Sequence, residues 1–267
     1  MVEKYRCFFF FCLPALFCLV LPGFPVAEEL QDGKIRQEAM DTVFSGREEM
    51  HFTISWTGGV KIGDLFLTLK RIGNDEYEIH ARITDYGLFK FFYPVDDVFD
   101  TRVRGAFKLP YQYDVLQREG RGSVTRRQSL YDQEKLVVVY RKNDSPEQAF
   151  DISRPVHNEF SSFYITRSMD LEPGGSFVVP TFADKKVNEV KVKVGGPEDI
   201  DSPFGRVRTL VVMPLMKFRG LFDKDGDTII WLTDDLCRVP VKIRSKILIG
   251  SLTAELDDYA NPACERY

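Results

Sequence analysis

The sequence predicts an all-β, mainly antiparallel fold: a large curved sheet, a sandwich or a barrel-like shell, with one or two short helices packed on it. Apolar and polar residues alternate in many segments, as in residues 77–83 and 190–194, which gives a strand one buried and one solvated face. Turn-forming residues, such as Gly73-Asn74-Asp75, separate these segments at the spacing of hairpins. These features favour antiparallel hairpins over alternating βα units.

Residues 1–27 have the layout of a secretory signal peptide. Lys4 and Arg6 give the first residues a positive charge, residues 7–21 form an apolar run, and a Pro-Gly pair follows before Ala27. We expect cleavage after Ala27 and export of residues 28–267 as a single β-rich domain. The leader would then provide the chain's only contact with a membrane, and that contact would be transient.

Two alternatives to cleavage stay open. The leader could remain as a membrane anchor, although its apolar run is shorter than the roughly 20 residues of a bilayer span. A lipoprotein would use Cys18 inside the run, but Phe17 before it is bulkier than the residue that such a site needs.

Further strands are predicted along the rest of the chain. They are residues 50–56, 64–71, 111–117, 123–131, 135–141, 207–213, 227–232, 239–247 and 248–256. No repeat, low-complexity stretch or linker divides the chain after the leader, which fits one domain.

Two aromatic segments interrupt the alternation. Residues 157–167 follow a proline and place aromatic side chains at helical spacing, so we predict a short helix with Asn158 as its N-cap, packed on the concave side of the sheet. Residues 86–94 are either core or a ligand-facing surface. If the protein binds an apolar ligand, the candidate contacts in these segments are Phe89, Phe91, Phe92, Tyr93, Phe160 and Tyr164.

The charged residues exclude one class of function and indicate one patch. The formal net charge of −4 at pH 7 disfavours nucleic-acid binding. Four arginines nevertheless crowd a predicted hairpin: Arg118, Arg121, Arg126 and Arg127. They form either a site for an anionic partner, such as lipid headgroups or acidic polysaccharide, or a solvated strand face that deters edge pairing.

The cysteines fit an exported protein. Cys7, Cys12 and Cys18 would leave with the leader, so that Cys237 and Cys264 remain on either side of the last predicted hairpin. A tail that folds back along the hairpin would bring these two within bonding distance, and their disulfide would stabilise the fold by roughly 3 kcal/mol. Two unpaired thiols are the alternative.

Catalytic and metal-binding signals are weak, so we predict no catalytic residue, no metal and no cofactor. Residues 223–227 superficially resemble a calcium loop, but Thr228 stands where the sixth position needs glycine. Asp234 and Asp235 are adjacent and would point to opposite faces of a strand, which favours a turn role. A hydrolase that combines either of them with His157 is the least favoured function.

Several segments together resemble an exported bacterial family, the domain of unknown function 3108. They are residues 56–63 (WTGGVKIG), 158–164 (NEFSSFY) with Arg167, 173–174 (PG), 203–205 (PFG), 231–235 (WLTDD), 238–241 (RVPV) and 250–252 (GSL). The resemblance implies a β-rich protein of a Gram-negative envelope, in the periplasm or otherwise exported, and brings no catalytic residues. Cys237 departs from the residues usual in the family, so a disulfide would be a local feature.

The leading functional hypothesis is a non-catalytic periplasmic or envelope protein that binds or carries a lipid or other apolar ligand in its curved sheet. The second is an envelope scaffold that binds another protein through sheet edges or the arginine hairpin. An open apolar cavity would favour the carrier, and a fully packed interior would favour the scaffold.

Overall fold

The computed structural model describes residues 31–87, 94–120, 122–215, 228–247 and 250–267. Within these ranges the chain forms fourteen strands and two helices. The strands are β1 Arg47–Trp56, β2 Val60–Gly73, β3 Glu76–Asp85, β4 Asp96–Arg104, β5 Leu109–Glu119, β6 Ser123–Asp132, β7 Val137–Lys142, β8 Gln148–Asp151, β9 Ser176–Ala183, β10 Lys186–Ser202, β11 Gly205–Leu215, β12 Thr228–Thr233, β13 Pro240–Lys246 and β14 Ser251–Ala260. The helices are α1 Gln37–Val43 and α2 Glu159–Arg167.

All of these strands belong to one open antiparallel sheet, which confirms the predicted all-β fold. Strands β1 to β8 run outwards from the centre in sequence order, and β9 to β14 return from the opposite edge. β1 and β14 pair at the centre, where Met50 lies opposite Tyr259 and Ile54 lies opposite Ala254. The two edge strands, β8 and β9, are therefore consecutive in sequence, and the segment between them carries α2.

The sheet curls so that its two edges approach each other across a shared interior. The ring of Phe182 on β9 lies 6.2 Å from that of Tyr131 on β6 and 5.8 Å from that of Phe150 on β8. Lys185, in the turn after β9, donates to Gln148 on β8 over 3.1 Å. In the described sheet, side-chain contacts rather than a strand ladder join the two edges.

Helix α2 confirms the predicted helix, with Asn158 as its N-cap. The Asn158 side chain accepts from the backbone N–H of Ser161 over 2.8 Å, and the Ser161 hydroxyl accepts from the backbone N–H of Asn158 over 2.9 Å. The Asn158 amide also donates to the Thr101 hydroxyl on β4 over 2.9 Å. A side-chain cap stabilises a helix by about 1 kcal/mol, and this one also fixes the start of α2 against the sheet.

A fully buried ion pair fixes the end of α2. Arg167 donates to both carboxylate oxygens of Glu48 on β1, over 2.6 and 2.7 Å, and Tyr259 on β14 donates to the same carboxylate over 2.9 Å. Arg167 also donates to the backbone carbonyls of Cys237 and Arg238, over 3.2 and 3.0 Å. Burial acts to lower the pKa of Arg167, but the neighbouring Glu48 outweighs it and raises that pKa, so the guanidinium stays charged.

Two hydrophobic clusters fill the interior. The larger one surrounds both helices and includes Phe52, Leu69 and Tyr164, each without exposed surface. The smaller one lies under β5 to β7, and Phe160 of α2 packs against both clusters. In the part of the chain that the structure describes, no helix is long and apolar enough to cross a membrane.

Cys237 and Cys264 lie at disulfide distance. Their Sγ atoms are 2.16 Å apart and their Cα atoms 5.9 Å apart, within the spacing that a disulfide requires. The tail does fold back along the β13–β14 hairpin, as the predicted bridge needs.

Candidate functional site

A recess of about 240 Å³ opens on the concave face of the sheet, beside the start of α2. Tyr113 on β5, Ser129 on β6 and Tyr140 on β7 lie opposite one another in register and form its floor. Alternate residues of a strand share a face, so Arg127 and Tyr131 lie on this face with Ser129. The small Ser129 side chain between two tyrosines leaves the space that forms the cavity, hereafter the Ser129 recess.

The opposite wall comes from α2 and from the turn between β9 and β10. Glu159, the first residue of α2, and Phe182 on β9 face the floor, and Asp184 and Lys185 form the turn at the mouth. Both turn residues have positive φ angles, 51° and 62°, as a tight two-residue hairpin requires. The Lys185 ammonium lies 5.0 Å from the centre of the Tyr140 ring, so the turn is held against β7.

Two polar atoms at the recess have no hydrogen-bond partner among the described residues: Arg127 Nε and Tyr131 Oη. Tyr131 is only 5% exposed. Burial, and then Glu159, raise the pKa of Tyr131 well above its ordinary value, although the nearby Ser129 hydroxyl counters part of that rise. Native proteins rarely leave buried polar groups unpaired, so these two atoms indicate a place where a ligand or water binds.

A partly buried series of hydrogen bonds holds Arg127 in place. Its Nη2 donates to the Gln117 side chain over 2.6 Å, and the Gln117 amide donates to Asp97 over 3.1 Å. Asp97 is 2% exposed and also accepts from the backbone N–H of Arg118 over 2.9 Å. Gln117 therefore fixes one end of the guanidinium, while Nε has no partner in the part of the chain that the structure describes.

Glu159 is the acidic counterpart of Arg127 in the recess. Solvent reaches its side chain, but the surrounding protein displaces enough water to raise the pKa of the carboxyl above its ordinary value. Arg127 and a hydrogen bond with Tyr113 oppose that rise. The recess therefore combines aromatic walls, one fixed cation and one carboxyl that takes up a proton more readily than usual.

The predicted ligand contacts on α2 lie in the core and not in the recess. The Phe160 ring is 5.2 Å from that of Phe99 and 6.3 Å from that of Tyr113. Tyr164 has no exposed surface, and its ring lies 6.0 Å from that of Phe44. Their role in ligand binding stays a prediction. The remaining predicted contacts lie outside the described residues: Phe89, Phe91, Phe92 and Tyr93.

The structure distributes the predicted arginine patch over two faces of the sheet. Arg118 and Arg126 are exposed on the outer face, where Arg118 pairs with Asp96 over 3.4 Å. Arg126 lines an outer groove of about 850 Å³. Arg127 points inward to the recess, because neighbours on a strand face opposite ways. Arg121 lies outside the described residues, and the anionic-partner role of the patch stays a prediction.

The residues of the hydrolase hypothesis are not brought together by any described hydrogen bond or ion pair. Asp234 pairs with Arg208 over 3.0 Å, and Asp235 accepts from backbone amides in the turn after β12. His157 is buried, 3.2 Å from the Ser161 hydroxyl, and burial lowers its pKa to about 3. Among the described residues, no group of three or more His, Cys, Asp or Glu could hold a metal. Residues 223–227 lie outside them.

The sequence reasoning missed the recess although its residues carried a signal. Tyr113 and Val115 on one predicted strand, and Arg127, Ser129 and Tyr131 on the next, occupy alternate positions and so share a face. An arginine and a serine on an otherwise apolar face indicate a polar pocket. The opposition of Ser129 to two tyrosines depends on strand register, which the sequence pattern does not give.

Comparisons with known proteins give a family for the chain and one solved structure of similar fold. The family model described as "Protein of unknown function (DUF3108)" matches residues 51–257. A solved structure from Brucella abortus, a "beta-barrel-like protein of domain of unknown function DUF1849", is similar with a TM-score of 0.55 and 8% identity, over 80% of this chain and 97% of that chain. The hypothetical protein CT021 from Chlamydia trachomatis gives a TM-score of 0.36 and 4% identity, over 84% of this chain and 92% of that chain. No curated protein matches the chain.

Proposed function

We propose that this chain, which belongs to the DUF3108 family of proteins of unknown function, is a non-catalytic binding or carrier protein of the bacterial envelope. Its ligand would be a small amphipathic molecule that places one end in the Ser129 recess. One observation carries the proposal: a recess walled by aromatic rings contains two polar groups, on Arg127 and Tyr131, without a partner in the described chain.

The composition of the recess supports binding. Small-molecule sites are typically concave and mostly apolar, with a few polar groups that fix orientation. The recess, at about 240 Å³, is below the roughly 300–1,000 Å³ usual for such sites. We therefore expect it to hold one end of the ligand, while the remainder leaves past the Asp184-Lys185 turn.

The proposed location is the periplasm of a Gram-negative bacterium. The layout of residues 1–27 and the cysteine pair at disulfide distance support export. N-terminal sequencing of the protein from a periplasmic extract should give a start at or near Glu28. An intact leader in the membrane fraction, or a lipid on Cys18, would contradict this location.

A space-filling variant tests the binding function. Ser129→Leu should fill the recess, and Gln128→Leu, next to it on the outer face of β6, is the matched control. We expect native mass spectrometry of protein from its own periplasm to show a bound small molecule in the wild type and in Gln128→Leu but not in Ser129→Leu. Equal occupancy in both variants, or no adduct in the wild type, would count against the proposal.

The outer groove favours a second candidate, an envelope scaffold. Its walls include Arg126, Arg141, Asp100 and Asp114, a mixed charged surface of the kind that steers protein association. Charge reversal at Arg126 and Arg141 should then abolish cross-linking to an envelope protein in cells, while Ser129→Leu leaves the cross-link unchanged. An unaltered cross-linking pattern in the charge-reversed variant would remove this candidate.

A further inference from the structure

We infer that the ligand end held in the Ser129 recess carries a single carboxylate next to an apolar chain, and that Arg127 binds that carboxylate. This inference rests on the proposed binding function and adds the chemical class of the ligand, a monocarboxylate amphiphile of the fatty-acid type.

The first argument is the hydrogen-bonding capacity of the unpartnered groups. A guanidinium can only donate, so the partner of Arg127 Nε must be an acceptor. Tyr131 keeps its phenol proton because its pKa is raised and is thus a second donor on the same face. An ionised acceptor forms shorter and stronger hydrogen bonds with a guanidinium than a neutral acceptor does. A cationic ligand end would instead be repelled by Arg127.

The second argument is preorganisation. Arg127 donates to the Gln117 side chain over 2.6 Å, and the Gln117 amide in turn donates to the buried Asp97 over 3.1 Å. A ligand therefore does not have to order this long side chain, which removes a cost that binding usually includes. Arg126, the next residue along the strand, lines the outer groove.

The third argument is the number of charges in the recess. Arg127 and Lys185 balance Glu159 and Asp184 when all four groups are ionised. The two carboxyl groups therefore leave no excess of positive charge around Arg127. A ligand end with one negative charge suits such a recess better than a phosphate monoester with two.

The walls of the recess suit an apolar chain. Tyr113, Tyr140, Val115 and Phe182 supply aromatic and aliphatic surface on both sides of Ser129. The carboxylate would lie at Arg127, and the adjacent methylene groups would contact these rings, in agreement with the amphipathic lining of small-molecule sites.

Calorimetric titration with four ten-carbon probes tests the inference: decanoate, decanol, decyl phosphate and decyltrimethylammonium, each below its micelle concentration. We expect decanoate to bind the delipidated wild type at least tenfold more tightly than the other three. Arg127→Gln should weaken decanoate binding by roughly ten- to a hundredfold and leave decanol binding unchanged. Arg206→Gln, at an exposed position of β11 outside both the recess and the outer groove, should behave as the wild type.

Thermal melts monitored by circular dichroism show whether Arg127→Gln folds, and Arg127→Lys provides a second variant that keeps the charge but loses Nε. Arg127→Lys should also lose affinity for decanoate. If decanol binds as tightly as decanoate, or if Arg127→Gln still binds decanoate more tightly than the other probes, the carboxylate assignment is wrong while the binding function stands. If no probe binds the wild type, or if Ser129→Leu binds decanoate normally, the binding function of the recess itself fails.

Discussion

Removal of the buried Arg167 charge should destabilise the fold more than any surface substitution. Arg167→Met keeps an unbranched side chain but leaves the Glu48 carboxylate buried, with Tyr259 still donating to it. The backbone carbonyls of Cys237 and Arg238 would also lose their bonds from Arg167. Breaking one partner of a buried ion pair costs about 3–5 kcal/mol.

A double variant separates the cost of the unpaired, buried Glu48 carboxylate from the cost of lost packing around Arg167. Arg167→Met combined with Glu48→Met buries no charge, and such hydrophobic replacements of ion pairs are often close to neutral. We therefore expect the double variant to be more stable than either single variant. The coupling between the two sites should amount to at least about 2 kcal/mol.

Urea unfolding at neutral pH, followed by tryptophan fluorescence and circular dichroism, measures these differences. The control is the exposed ion pair of Lys242 and Glu255, 2.7 Å apart, where Lys242→Met should cost less than about 1 kcal/mol. A cost below about 1 kcal/mol for Arg167→Met, or additive effects in the double variant, would refute the reasoning.

Three further predictions follow from single features. Burial lowers the pKa of His157 from 6.5 to about 3, so the unfolded chain binds a proton that the folded chain does not. Stability should therefore fall as the pH drops below 6.5, by roughly 3 kcal/mol at pH 4.5. Urea titrations at pH 7 and pH 4.5 should show a smaller fall in His157→Gln, and an equal fall would exclude this origin. Thiol labelling of the denatured, unreduced mature protein should find neither Cys237 nor Cys264 free, and two labelled thiols would contradict the bond. Reduction of this bridge, which spans 27 residues, should lower the unfolding free energy by about 3.5 kcal/mol. A Cβ at Gly63 would lie 2.2 Å from a backbone oxygen of β3, whereas a Cβ at Gly196 would meet no neighbour. Gly63→Ala should therefore lower the stability by about 1–3 kcal/mol and the melting temperature clearly more than Gly196→Ala does. Equal melting temperatures of the two variants would argue against this clash.

Local signals in the sequence were sufficient to predict several elements. α2 and its Asn158 cap depend on neighbours within one turn, so the spacing of residues 157–167 was enough. β1, β3 and β10 have one buried face, which produces the alternation that predicts a strand. The family was also recognisable from short segments spread over the chain, and the match to residues 51–257 confirms it.

Elements that lack a clear alternation of apolar and polar residues escaped the sequence pattern. β9 is buried at nearly every position and shows no alternation, and Asp32 and His157 form isolated bridges along its free edge. β4 carries charged residues at five of its nine positions, and one of them, Asp97, is buried on the same face as Thr101 and Val103. α1 is a single short helix whose burial depends on distant strands. These features result from tertiary contacts, which single-sequence periodicity does not record.

The pairing of β1 with β14 has a consequence for the order in which the chain folds. Glu49 lies opposite Ala260, so the middle of the sheet joins residues more than two hundred positions apart in sequence. Such non-local pairing slows folding, because a long loop must close before the contact contributes. The hairpins within β1 to β8 and within β9 to β14 can form earlier, but the pairing of β1 with β14 requires the last strand of the chain. A chain that lacks β14 would expose two unpaired edges, on β1 and β13, and become prone to aggregation.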